Sequence, residues 1–140
     1  MVIFFISTLQ ESKIDFNRLF FPRSIGIIGA SWDPAGGGFF VRAMKDKFRG
    51  PTYLFNPRLA GKELLGYKVY NSILDISEPI DYVILAVPSR LVPKLLEEVG
   101  QRNVPFCTIF SSGFREVGNE TLENQTIQVA RKYNIRIIGA

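Results

Sequence analysis

The sequence predicts an α/β fold, a doubly wound and mostly parallel five-stranded sheet with helices on both faces. Short apolar runs alternate with amphipathic stretches along the chain, the pattern of βαβ units around a buried parallel sheet. A glycine-rich segment joins the first apolar run to the first amphipathic one, where the backbone has to turn tightly. A length of 140 residues, 46% hydrophobic and 21% charged, suits one domain with a real core.

The elements follow in order. Residues 24–30 form the first strand, and beyond the glycine-rich loop Phe40, Val41, Met44 and Phe48 share one helical face. Residues 52–55 form a second strand that ends at Asn56 and Pro57, where proline stops regular structure. Residues 67–70 read as a short edge strand. Residues 81–87 are the strongest buried strand and run into Pro88 and a helix with the apolar face Leu91, Val92, Leu95, Leu96 and Val99. Residues 105–110 form the next strand, ending at Ser111, Ser112 and Gly113. Asn119 is the expected N-cap of a helix with Glu120 and Glu123 in its positively polarised first turn. That helix turns Leu122, Val129, Ala130 and Tyr133 inward, and residues 135–138 form the last strand. Residues 1–17 precede this pattern as an N-terminal extension, and 18–140 make the domain. Phe4, Phe5 and Ile6 with Phe20 and Phe21 either cover the sheet edge or offer an apolar surface to a partner chain or a second copy in a homodimer.

Composition narrows the function. The chain has no histidine, which removes the commonest general base, metal ligand and phosphoryl carrier, and its carboxylates show no ligand-type spacing, so no metal is expected. A net charge of +4 is compatible with a small anionic ligand. Arg42, Lys45 and Arg49 share a helical face that reads as a solvated exterior, so no nucleic acid is expected. No run approaches the about 18 uncharged apolar residues that span a membrane. No signal peptide is evident, and the single cysteine, Cys107, lies in an apolar run and reads as buried and inert. The expected location is cytoplasmic.

The loop after the first strand runs from Gly26 through Gly29, Ala30, Ser31 and Trp32 to Gly36, Gly37 and Gly38. Its glycines allow close approach to a ligand, the helix N-terminus offers N–H groups to an anion, and Ser31 adds a hydroxyl. A G-x-G-x-x-G fingerprint counted from Gly29 would need glycine where Ser31 and Pro34 stand, and no G-K-[ST] follows. Trp32 is placed either to stack on an adenine or to pack. At the end of the second strand, where NAD-binding folds carry an acid for the ribose, this chain has Asn56, Pro57 and Arg58, with Lys62 nearby. A cation there suits a phosphorylated adenosine ribose, that of NADP or of coenzyme A.

Five segments then follow one another: SIGIIGAS at 24–31, NP at 56–57, AVP at 86–88, SSGFRE at 111–116 and IRIIG at 135–139. In that order and spacing the chain resembles the Rossmann-like CoA-binding domain of nucleoside-diphosphate-forming acyl-CoA synthetases, a family that includes ADP-forming acetyl-CoA synthetase and the succinyl-CoA synthetase α subunit. The resemblance covers residues 18–139. It implies that Gly29, Ala30 and Ser31 cradle the CoA phosphates and that Asn56, Pro57 and Arg58 lie near the adenosine phosphate. It further implies that Val87 and Pro88 line the adenine or pantetheine arm, and that Ser111, Ser112 and Gly113 flank the pantetheine near the thiol. Gly36, Gly37 and Gly38 stand where the family often carries a basic residue and a single glycine, a change expected to remove a cation and loosen the loop.

The resemblance also implies a partner. In complete synthetases a histidine of a following domain carries the phosphoryl group and an ATP-grasp module or subunit binds the nucleotide. This chain is therefore expected to hold CoA as part or partner of an acyl-CoA ligase, with no complete active site of its own. Two other readings remain open: an NADP-binding oxidoreductase domain, and a non-catalytic nucleotide-sensing or scaffold module.

Overall fold

The computed structural model describes residues 14–111 and 120–138. Residues 1–13, with Phe4, Phe5 and Ile6, and residues 112–119, with Asn119, lie outside the described residues. The described chain opens on a single helical turn, α1 (Asn17–Phe20), after which Phe20 and Phe21 stay exposed.

An apolar run takes the centre of the sheet. Strand β1 (Ile25–Ile28) is buried along its whole length. On one side it pairs in parallel with β2 (Thr52–Phe55), and on the other with β5 (Tyr82–Leu85). Parallel strands continue outward as β4 (Tyr67–Tyr70) beside β2, then β6 (Phe106–Ile109) and β7 (Arg136–Ile137) beyond β5. With β3 (Glu63–Leu64) outside β4, the described sheet has seven strands, in the order β3-β4-β2-β1-β5-β6-β7. The expected count of five was low. The chain builds outward from β1 in one direction and then returns to its other side at β5, so the order reverses between β1 and β5.

The strand that the sequence concealed is β3 (Glu63–Leu64), which pairs antiparallel with β4 and takes the edge position expected of residues 67–70. The two strands are joined by Leu65 and Gly66, both at positive φ (51° and 87°), the backbone sense of a tight hairpin turn. Such turns are normally written Asn-Gly or Asp-Gly, and a leucine in the left-handed region costs about 1 kcal/mol. Lys45 offsets this by donating from Nζ to the Leu65 carbonyl at 2.6 Å, with its ammonium near the Tyr67 ring.

Helices cover both faces, as expected. On one face α2 (Gly37–Lys47) buries Val41 against Ile27, Leu54, Leu64 and Val69, with Phe40, Met44 and Phe48 partly buried around it. On the other, α3 (Val92–Gln101) and α4 (Glu120–Tyr133) bury Val92, Leu96, Val99 and Ala130 against Phe55, Val83, Leu85 and Cys107. The two helices meet closely because Gly100 has no side chain: a Cβ there would lie 2.2 Å from the Tyr133 ring. Lys132 and Tyr133 both donate to the Glu97 carboxylate across the same contact. Among the described residues no helix is long and apolar enough to cross a membrane.

The amino end of the sheet is tied by one buried carboxylate. Asp81, 1% exposed, receives the Arg23 backbone N–H (2.8 Å), the Arg23 guanidinium and the Arg18 guanidinium (2.8 Å). Burial alone would raise this carboxyl, but the hydrogen bonds from Arg23 and Arg18 outweigh it and hold it well below the ordinary carboxylate range. Cys107 is fully buried in the core, and desolvation pushes its thiol far up, in line with an inert cysteine.

Two outcomes follow. Asp81→Asn is expected to lower the unfolding free energy by about 2 kcal/mol at neutral pH, since Arg18 and Arg23 can regain water while the buried site loses its charge pairing. The folded-state carboxyl is depressed, so this contribution is complete above the unfolded value of about 3.9 and is lost as pH falls through the folded one. Urea titrations of both proteins should therefore converge in strong acid. Cys107 is expected to react with an aromatic disulfide reagent only at the global unfolding rate, read from absorbance with and without denaturant.

Candidate functional site

At the carboxyl ends of the central strands lies a cleft of about 520 Å³. Its floor begins where β1 stops. Gly29, at φ +90°, sits against β5 so closely that a Cβ would fall 2.0 Å from the Ala86 carbonyl oxygen. Behind it, the start of α2 approaches equally closely: a Cβ on Gly37 would lie 1.9 Å from the Gly29 carbonyl oxygen. Gly37 and Gly38 are buried helical residues. The three glycines therefore do not loosen the loop as expected, because Gly37 seats α2 against the end of β1 and Gly38 packs closely against the Ser31 and Asp33 carbonyls of the loop.

Asn56 joins two walls. Its Nδ2 donates to the Ala30 carbonyl at 2.8 Å and its Oδ1 accepts the Arg58 N–H at 2.9 Å, which starts the short 3-10 turn Pro57–Leu59. This places Arg58, exposed, on the rim. Val87 and Pro88 enter from the end of β5, Leu91 from the 3-10 turn that leads into α3, and Leu95 from α3 itself. The remaining wall is the segment leaving β4, where Ser72 caps the turn Ile73–Asp75. Ser72 Oγ also donates to Glu98 on α3 (2.8 Å), and Arg102 Nε donates to the Ile73 carbonyl (3.2 Å), which together strap this wall to α3.

A model of the CoA binding domain family matches residues 23–140. The chain belongs to the CoA-binding domain family. It is 42% identical over 119 residues to an ADP-forming acetate–CoA ligase of Methanocaldococcus jannaschii, an alignment covering 85% of this chain and 17% of that protein. It is 39% identical over 132 residues to the α subunit of ADP-forming acetate–CoA ligase I of Pyrococcus furiosus, covering 90% of this chain and 29% of that one. Among solved structures it is similar to the dinucleotide-forming acetyl-coenzyme A synthetase 1 of Ca. Korarchaeum cryptofilum in complex with phosphate and ADP. That match has a TM-score of 0.81 and 36% identity, over 89% of this chain and 27% of the other. The chain thus spans under a third of the length of these relatives.

Within this CoA-binding domain the structure gathers six of the expected site residues, Gly29, Asn56, Pro57, Arg58, Val87 and Pro88, around the one cleft. Ala30 is fully buried on the α2 side of the core and does not line the cleft, and its carbonyl is taken up by Asn56. Ser31 is half-buried outside the cleft lining, and its Oγ accepts the Asp33 N–H at 3.2 Å. Trp32 is 57% exposed and likewise does not line the cleft. Ser111 follows β6 and is half-buried, away from the cleft lining, whereas Ser112 and Gly113 lie outside the described residues.

The loop ahead of α2 also differs from expectation. The Asp33 carbonyl accepts the N–H groups of Gly36 and Gly38, and the Asp33 carboxylate accepts that of Ala35. Several donors assigned to an anion are thus used by the protein itself, since an aspartate turn closes the loop on itself. Sequence reasoning missed the α3 wall. Of the two leucines expected on the helix's core face, Leu95 does pack on the core but also lines the cleft, whereas Leu91 is 37% exposed; Arg90, Lys94 and Glu98 line the cleft too. The signal available was the four-residue spacing of Leu91 from Leu95 and of Arg90 from Lys94 at a helix that opens directly from a strand end.

Gly29→Ala is expected to destabilise the domain by about 3 kcal/mol or more, because it adds both a left-handed alanine and a backbone clash. Gly61→Ala provides the comparison. It shares the positive φ (+85°) but meets nothing within 4 Å, so chemical denaturation should show a loss of only about 1–2 kcal/mol.

Proposed function

We propose that this domain holds coenzyme A in the cleft at the carboxyl ends of β2, β1 and β5, as the CoA-holding part or partner of a nucleoside-diphosphate-forming acyl-CoA ligase. The observation that carries the reading is Arg58. It stands on the cleft rim where a dinucleotide site would place an acid, and among the described residues it has no carboxylate partner. A guanidinium in that place recognises a phosphate on the adenosine ribose.

Gly29 and Ser31 would face the pyrophosphate, with Ala30 buried behind them holding Asn56 and with Trp32 beside that loop. Asn56 and Pro57 would set Arg58 on the ribose phosphate. Val87 and Pro88 would line the arm that leads toward Ser111, Ser112 and Gly113, where the thiol end would emerge from the sheet. The chain's own contribution is to bind and orient CoA. Acyl and phosphoryl chemistry would be supplied by a ligase domain or an ATP-grasp subunit. The acyl group is proposed only as that of a carboxylic acid, with no size assigned. A cytoplasmic location fits a chain whose single cysteine is a buried thiol.

Calorimetry with CoA, dephospho-CoA and NADPH tests this. CoA is expected to bind and NADPH to bind at least about tenfold more weakly; the reverse order would replace the coenzyme A reading with the oxidoreductase one. Arg58→Gln is expected to weaken CoA about tenfold or more while leaving dephospho-CoA nearly unchanged. Equal affinity of the natural chain for the two ligands would remove the ribose-phosphate role from Arg58.

A further inference from the structure

Two further cations enter the cleft from the α3 side. Arg90 lies in the 3-10 turn Ser89–Leu91, and Lys94 lies four residues on in the first turn of α3. That separation sets the two side chains over one another on a helical surface. Both are exposed, and both line the same cleft as Arg58, which reaches it from the end of β2.

Among the described residues neither Arg90 nor Lys94 has a carboxylate partner, for the ion pairs join Arg18 and Arg23 to Asp81 and Lys132 to Glu97. Glu98, the acid of this cleft, accepts a hydrogen bond from Ser72 Oγ. Three cations thus share a space of about 520 Å³ with one engaged carboxylate. Their mutual repulsion gives the empty domain nothing, and it turns into attraction only when a group of more than one negative charge enters. The walls between them are apolar. Ile73 stands on the strand side, and Leu91 and Leu95 stand on the helix side. A flat base fits such a slot, with its ribose toward the cations that line the same cleft.

We infer that Arg90 and Lys94 are specificity-determining residues that bind the phosphate on the adenosine ribose from the α3 side, facing Arg58 across it. The inference rests on the coenzyme A reading and deepens it, since it turns one arginine into a two-sided grip. A dianionic phosphate held from both sides is favoured over the free hydroxyl of dephospho-CoA by more than Arg58 alone would supply.

The experiment is calorimetry of CoA and dephospho-CoA with the natural chain and with the double variant Arg90→Gln/Lys94→Gln. Both positions are exposed, so the fold is expected to persist, and the far-ultraviolet circular dichroism spectrum checks it. The Kd for CoA is expected to rise about 30-fold and that for dephospho-CoA by about threefold or less, so that the ratio between the two ligands collapses. An unchanged CoA affinity, or an equal loss for both ligands, would overturn the assignment while leaving the coenzyme A reading intact. A natural chain that binds neither ligand would overturn the coenzyme A reading, and this inference with it.

Discussion

The contact between Gly29 and the Ala86 carbonyl, continued by that between Gly37 and the Gly29 carbonyl, is the constraint around which the carboxyl end of this domain is arranged. Each is a place where two backbones come within a distance that no side chain tolerates. Together they bring β1, β5 and α2 to one point, where the strand order reverses. The Asn56 bridge to Ala30 adds β2 to the same junction. Everything that lines the cleft is set from there. The turn after β2 carries Arg58, the end of β5 carries Val87 and Pro88, and the entry to α3 adds Leu91 and one side of Leu95, which also packs on the core.

The two ends of the sheet treat charge in opposite ways. At the amino end Asp81 is buried and saturated by Arg18 and Arg23, so its charge is neutralised inside the molecule and serves to hold α1 and the approach to β1 against β5. At the carboxyl end Arg58, Arg90 and Lys94 are left without carboxylates among the described residues. A protein can keep an unneutralised cluster of one sign at modest cost when it is solvated, and such a cluster is where an oppositely charged ligand gains most. Membership of the CoA-binding domain family and the electrostatics of the cleft therefore agree without depending on one another.

Much of the site was legible because its residues follow directly from strands. Gly29, Asn56, Pro57, Arg58, Val87 and Pro88 each come within a few positions of a strand's last residue, and open parallel sheets bind ligands at those ends. What was not legible depended on how a helix rotates about its axis. Leu91 and Leu95 have the periodicity of core positions; Leu95 does pack on the core, and the gap facing the turn at Ile73 makes both of them cleft wall as well. The strap from Ser72 to Glu98 links residues 26 apart in sequence and has no local signature. The β3 strand was hidden for another reason: its hairpin uses Leu65 in place of the usual asparagine or aspartate, and it relies on Lys45 of α2 for support.

By itself the sequence determined the α/β class, the mostly parallel sheet that its apolar runs mark, the glycine-rich first turn and the cationic end of the second strand. Those are local properties, set by composition and spacing over a few residues. Only the tertiary structure decided that Gly37 and Gly38 are packing glycines, that Asp33 occupies donors of the loop, that Ala30 turns inward, and that Arg90 and Lys94 join Arg58 around one space. Each of these depends on distances between segments that are far apart in the chain, and those distances come into being only when the sheet brings the segments together.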